Sequence, residues 1–245
     1  RDLIVAIEAH RRKTYHLGFG KSVTRSNLAK ANENRSSKIF EEYAYHLIAV
    51  ARRKRANDNF EIKGKVYAFD SSTIDLCLNV FWWAKFRKAK GGIKFHTLYD
   101  ITTQIPAFIH ITTAKVNDVN AMDVIPYESE AYYIFDRGYV DYTRLHKITN
   151  HSAYFVIRAK SNLNFDRMYS RKVDKTTGVE CDQIGKLAGF YVSKQYPDKL
   201  RRVKFYDKET KRTFVFLTNN FELSADQIAL LYKNRWQVEL FFKWI

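Results

Sequence analysis

Length, composition and charge narrow the range of functions open to this chain. Its 245 residues, 46% of them hydrophobic, suffice for one large domain or one domain with an appendage. The formal net charge is +16, with 42 Lys and Arg against 26 Asp and Glu, which favours a polyanionic partner. No apolar run of about 18 residues is present, so we expect no membrane span.

Residues 1–60 predict a basic helical segment. One helix should begin with an N-cap at Thr24 or Ser26, and a second helix should follow it. The segment holds 13 Lys and Arg against 6 Asp and Glu, with Arg25 and Lys30 on the first of these helices. These residue types suit phosphates and base edges, so we interpret the segment as DNA-binding. The alternative is a basic bundle that only supports the rest of the chain.

From residue 65 onward the pattern is that of a mixed α/β fold. Three early strands are followed by alternating helices and strands, which implies a mixed sheet covered by helices. Residues 160–212 interrupt the alternation with polar, β-rich sequence, and we expect an insertion packed beside the sheet. Strands are predicted at 65–70, 92–100, 105–114, 131–136, 153–159 and 213–217, and helices at 117–125, at 140–149 and from a capping box at Ser224 and Gln227 onward.

Three acidic residues lie in contexts that fit one another. Asp70 follows the apolar run Val-Tyr-Ala-Phe and Asp136 follows Tyr-Tyr-Ile-Phe, so both are predicted at strand ends, while Glu239 lies on the last helix. A carboxylate at the end of a buried strand is costly unless it is paired or binds a cation. Oxygen ligands of this kind suit a hard metal ion. Asp75 also follows an apolar residue and is the competing candidate for the first position.

The last predicted helix carries a narrow polar stripe. At about 100° per residue, Tyr232, Arg235, Glu239 and Lys243 share one face of a helix that is otherwise mostly apolar. Taken alone, this stripe is better explained as a solvated face with i,i+4 ion pairs. The two aspartates shift the interpretation towards a functional site.

Together these elements resemble a known family. The segments Phe-Asp70-Ser-Ser-Thr, Phe-Asp136-Arg-Gly-Tyr and Tyr232-Lys-Asn-Arg235-Trp-Gln-Val-Glu239 are similar to those of the Asp-Asp-Glu (DDE) transposases of bacterial insertion sequences. The subgroup resembled is the one with the Tyr-Arg-Glu-Lys signature, whose Lys would fall at position 246, just beyond the last residue of this sequence. The resemblance implies a ribonuclease-H-like core with a β-rich insertion between the second Asp and the Glu.

The resemblance also implies boundaries, cofactors and partners. We expect a DNA-end-binding segment at 1–60, a catalytic core at 61–159 and 213–245, and the insertion at 160–212. By analogy with the family, the three carboxylates would hold two Mg²⁺ ions, for which Mn²⁺ could substitute, to cleave and transfer DNA strands. The implied partners are the transposon end and the target DNA, with a homodimer in the active complex.

Basic residues near the carboxylates are candidates for DNA contacts. The resemblance implies that Tyr232 and Arg235 face phosphates near the scissile bond, with Lys243 on the same face; a guanidinium fork suits that role. Arg158 and Lys160 follow a predicted strand at a place where related enzymes carry Arg and Lys. A surface charge at a strand end is the alternative for Arg158.

A second group of candidates lies between residues 76 and 99, a stretch without acidic residues. Lys85, Arg87 and Lys90 follow a Phe-Trp-Trp segment, and basic charge beside aromatic rings suits a DNA track. The alternative is that the tryptophans belong to the core and the basic side chains are only solvated.

Other functions fit parts of this pattern. A structure-specific nuclease of the same fold would cut DNA without strand transfer, and a non-catalytic DNA-binding protein derived from a transposase would not need an intact carboxylate set. A glycosidase could use paired carboxylates, but the basic surroundings do not suit a neutral sugar. The two cysteines, Cys77 and Cys181, are too few for a zinc ribbon and predict a reducing, cytoplasmic location. Because the sequence starts without Met and stops within a helical pattern, we also expect a fragment of a longer protein.

Overall fold

A computed structural model describes residues 2–19, 23–55, 62–76, 85–87 and 90–245. The chain forms two compact units, Arg1–Ala51 and Arg52–Ile245. The helices up to residue 54 are α1 (Asp2–Ala9), α2 (Arg11–Thr14), α3 (Arg25–Asn34) and α4 (Lys38–Lys54). Thr24 is the N-cap of α3, as predicted, because its hydroxyl accepts the backbone N–H of Asn27 at 3.2 Å. No residue of α2, α3 or α4 is buried.

The remaining elements build a large sheet with helices on its faces. The strands are β1 (Val66–Leu76), β2 (Lys85–Arg87), β3 (Lys90–Asp100), β4 (Ile105–Thr113), β5 (Tyr132–Phe135), β6 (Tyr154–Arg158), β7 (Phe165–Arg171), β8 (Val179–Leu187), β9 (Leu200–Asp207) and β10 (Arg212–Thr218). The helices are α5 (Tyr142–Asn150), α6 (Phe190–Gln195), α7 (Ala225–Lys233) and α8 (Trp236–Trp244), with 3₁₀ turns at Asp118–Val124, Arg137–Tyr139 and Lys175–Thr177.

The sheet topology confirms the predicted mixed α/β class. The order is β2-β3-β1-β5-β6-β10-β9-β8-β7, and β4 pairs with β3. Strands β1, β3 and β4 pair antiparallel, whereas β5 is parallel to both β1 and β6. The predicted β3–β4 hairpin is present, with its turn closed by the Gln104 N–H donating to the Asp100 carbonyl at 2.8 Å.

Strand β1 is longer than the sequence pattern predicted. It continues from Asp70 to Leu76 because its pairing with β3 runs the full distance, so Asp70 lies within the strand rather than at its end. The parallel pairing of β1 with β5 nevertheless stops at Ala68 and Ile134. Asp70 therefore lies just beyond the point where β1 loses β5 as its hydrogen-bonding partner.

The prediction that residues 160–212 pack beside the sheet is wrong. Strands β7, β8 and β9 instead extend the main sheet, because β10 pairs antiparallel with both β6 and β9. A buried ion pair fixes this extension: the Arg201 guanidinium donates to both carboxylate oxygens of Asp182 at 2.8 Å. The same guanidinium donates to the Leu223 carbonyl at 2.5 Å, which ties β9 to the chain that leads into α7.

Two predicted helices differ from expectation. The segment at 117–125 forms a 3₁₀ turn, and the last helix is split into α7 and α8 at Asn234 and Arg235. At the split, the N–H of Arg235 and that of Val238 each bond a carbonyl three residues back. The Asn234 side chain also donates to the Leu230 carbonyl at 2.9 Å, a local competition that disturbs helices.

The core lies on both faces of the sheet, which explains the nearly continuous apolar runs. Alternate residues of β1 point to opposite faces. Tyr67 and Phe69 pack in the cluster that contains α5, whereas Val66 and Ala68 pack in the cluster that contains Leu231 of α7 and Val238 of α8. Among the described residues, no helix is both long and apolar enough to cross a membrane.

Candidate active site

Strand geometry directs both predicted aspartates towards α7 and α8. Asp70 follows Ala68 by two residues, and Asp136 follows Ile134 by two, and both of those residues pack in the α7–α8 cluster. Asp136 comes directly after the end of β5, as predicted. Asp75, the competing candidate, is an odd number of residues from Asp70, is exposed, and lies on the other face of β1.

Tyr232 and Arg235 connect the three carboxylates. Arg235 donates to Asp70 Oδ2 at 2.7 Å and to Glu239 Oε1 at 2.5 Å. The Tyr232 hydroxyl donates to Asp136 Oδ1 at 3.1 Å. The i,i+4 pair of Arg235 with Glu239 is thus present, but the Arg235 side chain is only 14% exposed and reaches β1, so the stripe is more than a solvated face.

The electrostatics reflect several acidic groups in a partly buried place. Burial raises the pKa of Asp70, and the nearby Glu239 and Asp136 raise it further, while the Ser71 N–H and Arg235 oppose the shift. Burial and Asp136 raise the pKa of Tyr232 to about 12, so its phenol stays protonated and donates. The site therefore concentrates negative charge, which the Arg235 guanidinium partly neutralises.

The sequence predicted a metal site at Asp70, Asp136 and Glu239, and the structure shows how well these side chains fit a metal ion. In the part of the chain that the structure describes, no three His, Cys, Asp or Glu side chains are placed to hold a metal ion. Arg235 lies between the carboxylates of Asp70 and Glu239 and supplies the positive charge there. The donors themselves are all carboxylate oxygens, two of them raising the pKa of the third, and this chemistry fits a hard divalent cation once Arg235 turns away.

A polar cluster supports β1 beside Asp70. Ser71 donates from its backbone N–H to Asp70 Oδ1 and from its hydroxyl to Asp118 Oδ1, both at 2.8 Å. Lys94 on β3 forms an ion pair with the same Asp118 oxygen at 3.1 Å. His96 is fully buried on β3, and burial lowers its pKa to about 4, so it is a neutral core residue.

Asp100 is a structural residue rather than a site residue. Its carboxylate accepts the backbone N–H groups of Thr102 and Thr103 in the hairpin turn and pairs with Arg52 at 2.8 Å. Asp123 similarly pairs with Arg144 at 2.7 Å. Both carboxylates are therefore accounted for by local structure.

The predicted DNA-contacting residues are spread over several surfaces. The Arg158 guanidinium at the end of β6 lies 5.1 Å from the ring centre of Phe214, and Lys160 donates to the Val140 carbonyl at 3.3 Å. Lys243 is exposed near the end of α8, and Arg25 and Lys30 are exposed on α3.

The backbone at Lys85 and Arg87 forms β2, and Lys90 begins β3. The three side chains lie outside the part of the structure that is described, and so does Cys77. Cys181 carries a free thiol.

Two basic residues that line a neighbouring cavity were missed by sequence reasoning. Arg137 and Arg202 line a cavity of about 400 Å³ together with Arg158 and Lys160. Arg137 directly follows Asp136 in the second motif, so its proximity could have been inferred, whereas nothing in the sequence marks Arg202. A larger cavity, of about 710 Å³, is lined by Arg158 as well as by Asp136, Tyr232, Arg235 and Glu239.

Comparisons with known proteins agree on one family. The family described as "Transposase DDE domain" matches residues 61–245. A Sinorhizobium fredii protein named as transposase y4zB is 36% identical over 224 residues, covering 89% of this chain and 61% of the relative. A Geobacillus stearothermophilus protein named as the transposase for insertion sequence element IS5377 is 29% identical over 179 residues, covering 72% of this chain and 46% of the relative.

A solved structure is also similar. The cryo-EM structure of a piggyBac transposase synaptic complex with hairpin DNA aligns with a TM-score of 0.44 and 11% identity, over 74% of this chain and 40% of that chain.

Proposed function

Because the chain belongs to the transposase DDE domain family, we propose that it cleaves DNA at the ends of a bacterial insertion sequence and joins the freed strands to target DNA. The observation that carries this proposal is the set of contacts joining Asp70 and Asp136 on adjacent strands to the Tyr232, Arg235 and Glu239 face of α7 and α8. The chain spans 61% and 46% of the lengths of the two relatives. The activity of the whole protein is therefore part of what we propose.

We propose that the three carboxylates bind the metal cofactor. Asp70, Asp136 and Glu239 would hold two Mg²⁺ ions, or Mn²⁺ in their place. When bound, the ions would supply Lewis-acid activation of the attacking oxygen and charge stabilisation at the leaving one. Asp70 would be one of these ligands, and the other two carboxylates both act on it electrostatically.

Arg235 would change partners during the reaction. Its guanidinium neutralises Asp70 and Glu239 in the present arrangement, and its Nε is buried without a hydrogen-bond partner. Turned from the carboxylates, the same guanidinium could donate to two oxygens of a DNA phosphate and hold the scissile strand. Tyr232 would keep the Asp136 carboxylate oriented through its hydroxyl.

The remaining DNA contacts of the proposal come from basic residues around this face. Arg158, Lys160 and Lys243 would hold phosphates near the site, while Arg25 and Lys30 on α3 would take part in recognising the transposon end. We further propose membership of the Tyr-Arg-Glu-Lys subgroup, a homodimer in the complex with DNA, and action at the bacterial nucleoid in the cytoplasm.

Substitution of each carboxylate tests the proposal. Asp70→Ala, Asp136→Ala and Glu239→Ala should each abolish nicking of a plasmid that carries the element's own terminal sequences, in buffer with Mg²⁺. Binding of the same DNA in a gel-shift assay should be nearly unchanged, since phosphate contacts supply most of the affinity. Nicking retained by Asp136→Ala would refute the assignment.

Strand transfer requires a separate measurement. Pre-cleaved end DNA supplied with a target plasmid should be joined to that plasmid by the wild-type protein. A protein that nicks but never joins pre-cleaved ends would instead be a nuclease of the same fold.

A further inference from the structure

A basic cavity shares Arg158 with the cavity of the candidate active site but opens on the opposite face of the sheet. Thr213 and Val215 of β10 line the basic cavity, whereas Phe214 and Phe216 line that of the active site. The basic cavity has a volume of about 400 Å³, and it lies where β6 ends, beside β9 and β10. Four cationic side chains line it: Arg137, Arg158, Lys160 and Arg202. No carboxylate is among its lining residues, so the cavity concentrates positive charge on a strip of the sheet.

The charges that line the cavity are not neutralised within the described residues. None of the four cations forms an ion pair there, and Arg202 has only a neutral partner, donating to Gln183 Oε1 at 3.1 Å. Its Nε is buried without any hydrogen-bond partner, a costly state unless a ligand completes it. The neighbouring Arg201 shows the contrast, because it lies on the other face of β9 and is fully paired with Asp182.

The chemistry of the lining selects an anion with several oxygens. Guanidinium groups bind phosphate through two parallel hydrogen bonds, and three of the four cations are arginines. Ser161 and Asn164 add neutral polar groups to the lining of the cavity. An apolar small molecule is not suited, because such ligands need a mostly apolar lining.

The position of the cavity indicates where such a phosphate comes from. Arg137 is the residue directly after Asp136, and Arg158 lines both this cavity and the larger one that contains Asp136, Arg235 and Glu239. A chain of phosphates leaving the carboxylates could therefore continue past Arg158 and around the end of β6 to the other face of the sheet. We propose that the cavity binds a backbone phosphate of the DNA strand that enters the active site, with Arg137 and Arg202 as its ligands. This inference rests on the proposed function.

The test removes the two new ligands and compares them with two matched cations. The variant Arg137→Gln with Arg202→Gln is compared with Arg167→Gln with Lys186→Gln, which removes the same charge from exposed positions on β7 and β8. The full 245-residue chain is titrated against a labelled random-sequence DNA duplex, in chelator, at several salt concentrations. Each lost phosphate contact should lower the slope of log affinity against log salt by about 0.9.

We expect the slope to fall by about 0.9 for the cavity variant, because the proposal assigns one phosphate to the two arginines, and by clearly less for the control. Arg137→Gln alone, at an exposed position, should lower it by a measurable part of that amount and covers the case in which the double variant fails to fold. Equal slopes for the two double variants, or an unchanged slope for Arg137→Gln, would overturn the cavity assignment while leaving the proposed function intact. Failure of the wild-type chain to bind DNA at all would instead overturn the proposed function.

Discussion

Replacing Arg235 with Gln should destabilise the protein without metal and increase its response to divalent cations. The substitution removes the positive charge between Asp70 and Glu239 and leaves the two carboxylates facing each other. Breaking a fully buried pair costs about 3–5 kcal/mol. The Asp70 side chain is 21% exposed and keeps the Ser71 N–H, and it can take up a proton, so we expect a loss of about 2–3 kcal/mol.

Thermal unfolding in chelator measures this loss. For a domain of this size, about 1 kcal/mol shifts Tm by roughly 2–4 °C, so Arg235→Gln should melt about 4–12 °C below the wild type. Added Mn²⁺ should then raise the Tm of the variant more than that of the wild type. In the wild type a cation must first displace the guanidinium, whereas in the variant it binds carboxylates that have lost their counter-ion.

The matched control is Lys233→Gln, two residues before Arg235 at the end of α7. Lys233 pairs with Glu209 at 2.8 Å, but the two side chains are 56% and 73% exposed. Such an exposed pair contributes little to stability, so this variant should melt close to the wild type and respond to Mn²⁺ like the wild type. The reasoning fails if Arg235→Gln behaves like Lys233→Gln in chelator, or if Mn²⁺ raises the Tm of both variants equally.

Three further predictions use the same structure. Arg235→Lys keeps the positive charge but loses the planar guanidinium that can bind two phosphate oxygens. Single-turnover plasmid nicking should therefore slow by about 30- to 1000-fold, which corresponds to about 2–4 kcal/mol at the transition state. A wild-type rate would mean that Arg235 serves only as an ion-pair partner. Tyr232→Phe loses the hydrogen bond to Asp136 and should lower the free energy of unfolding in urea by about 0.5–1.5 kcal/mol, with slower nicking at unchanged DNA affinity; an unaltered nicking rate would contradict the orienting role. Because burial lowers the pKa of His96 to about 4, below its usual value near 6.5, the unfolded state takes up the proton first as pH falls. Stability should therefore drop between about pH 6.5 and 4, by up to about 1.4 kcal/mol per unit, and urea melts of His96→Gln should lack this part of the slope.

The sequence predicted that Asp70 and Asp136 share one face because strand periodicity is a local property. The apolar runs before Asp70 and Asp136 identify buried strands, and the alternation of side chains then directs both carboxylates to one face. The extension of β1 beyond Asp70 could not be predicted from an apolar run. Residues 71–76 pair only with β3, and that pairing depends on a partner strand rather than on any pattern of their own. The insertion was misplaced for a similar reason, since polar strands do not reveal which edge they join.

The break between α7 and α8 shows what local pattern cannot supply. Positions 224–245 have a single helical periodicity, yet the Asn234 side chain competes for the Leu230 carbonyl and the hydrogen-bond ladder tightens at Arg235. Arg202 was missed because its charge matters only through its neighbours across β6, β9 and β10, which are distant in sequence.

This break bears directly on how one arginine can serve two partners. Tyr232 lies on α7 and Glu239 on α8, while Arg235 lies in the link between them and reaches Asp70 on β1. Two carboxylates and one guanidinium leave the Asp70–Arg235–Glu239 group with a net charge of −1, and Asp136 adds another negative charge nearby. Divalent cations would reverse that balance and free Arg235, whose unpaired Nε is then available to a phosphate. Metal loading and phosphate binding should therefore strengthen each other through Arg235, because either event removes the same guanidinium from the same two carboxylates.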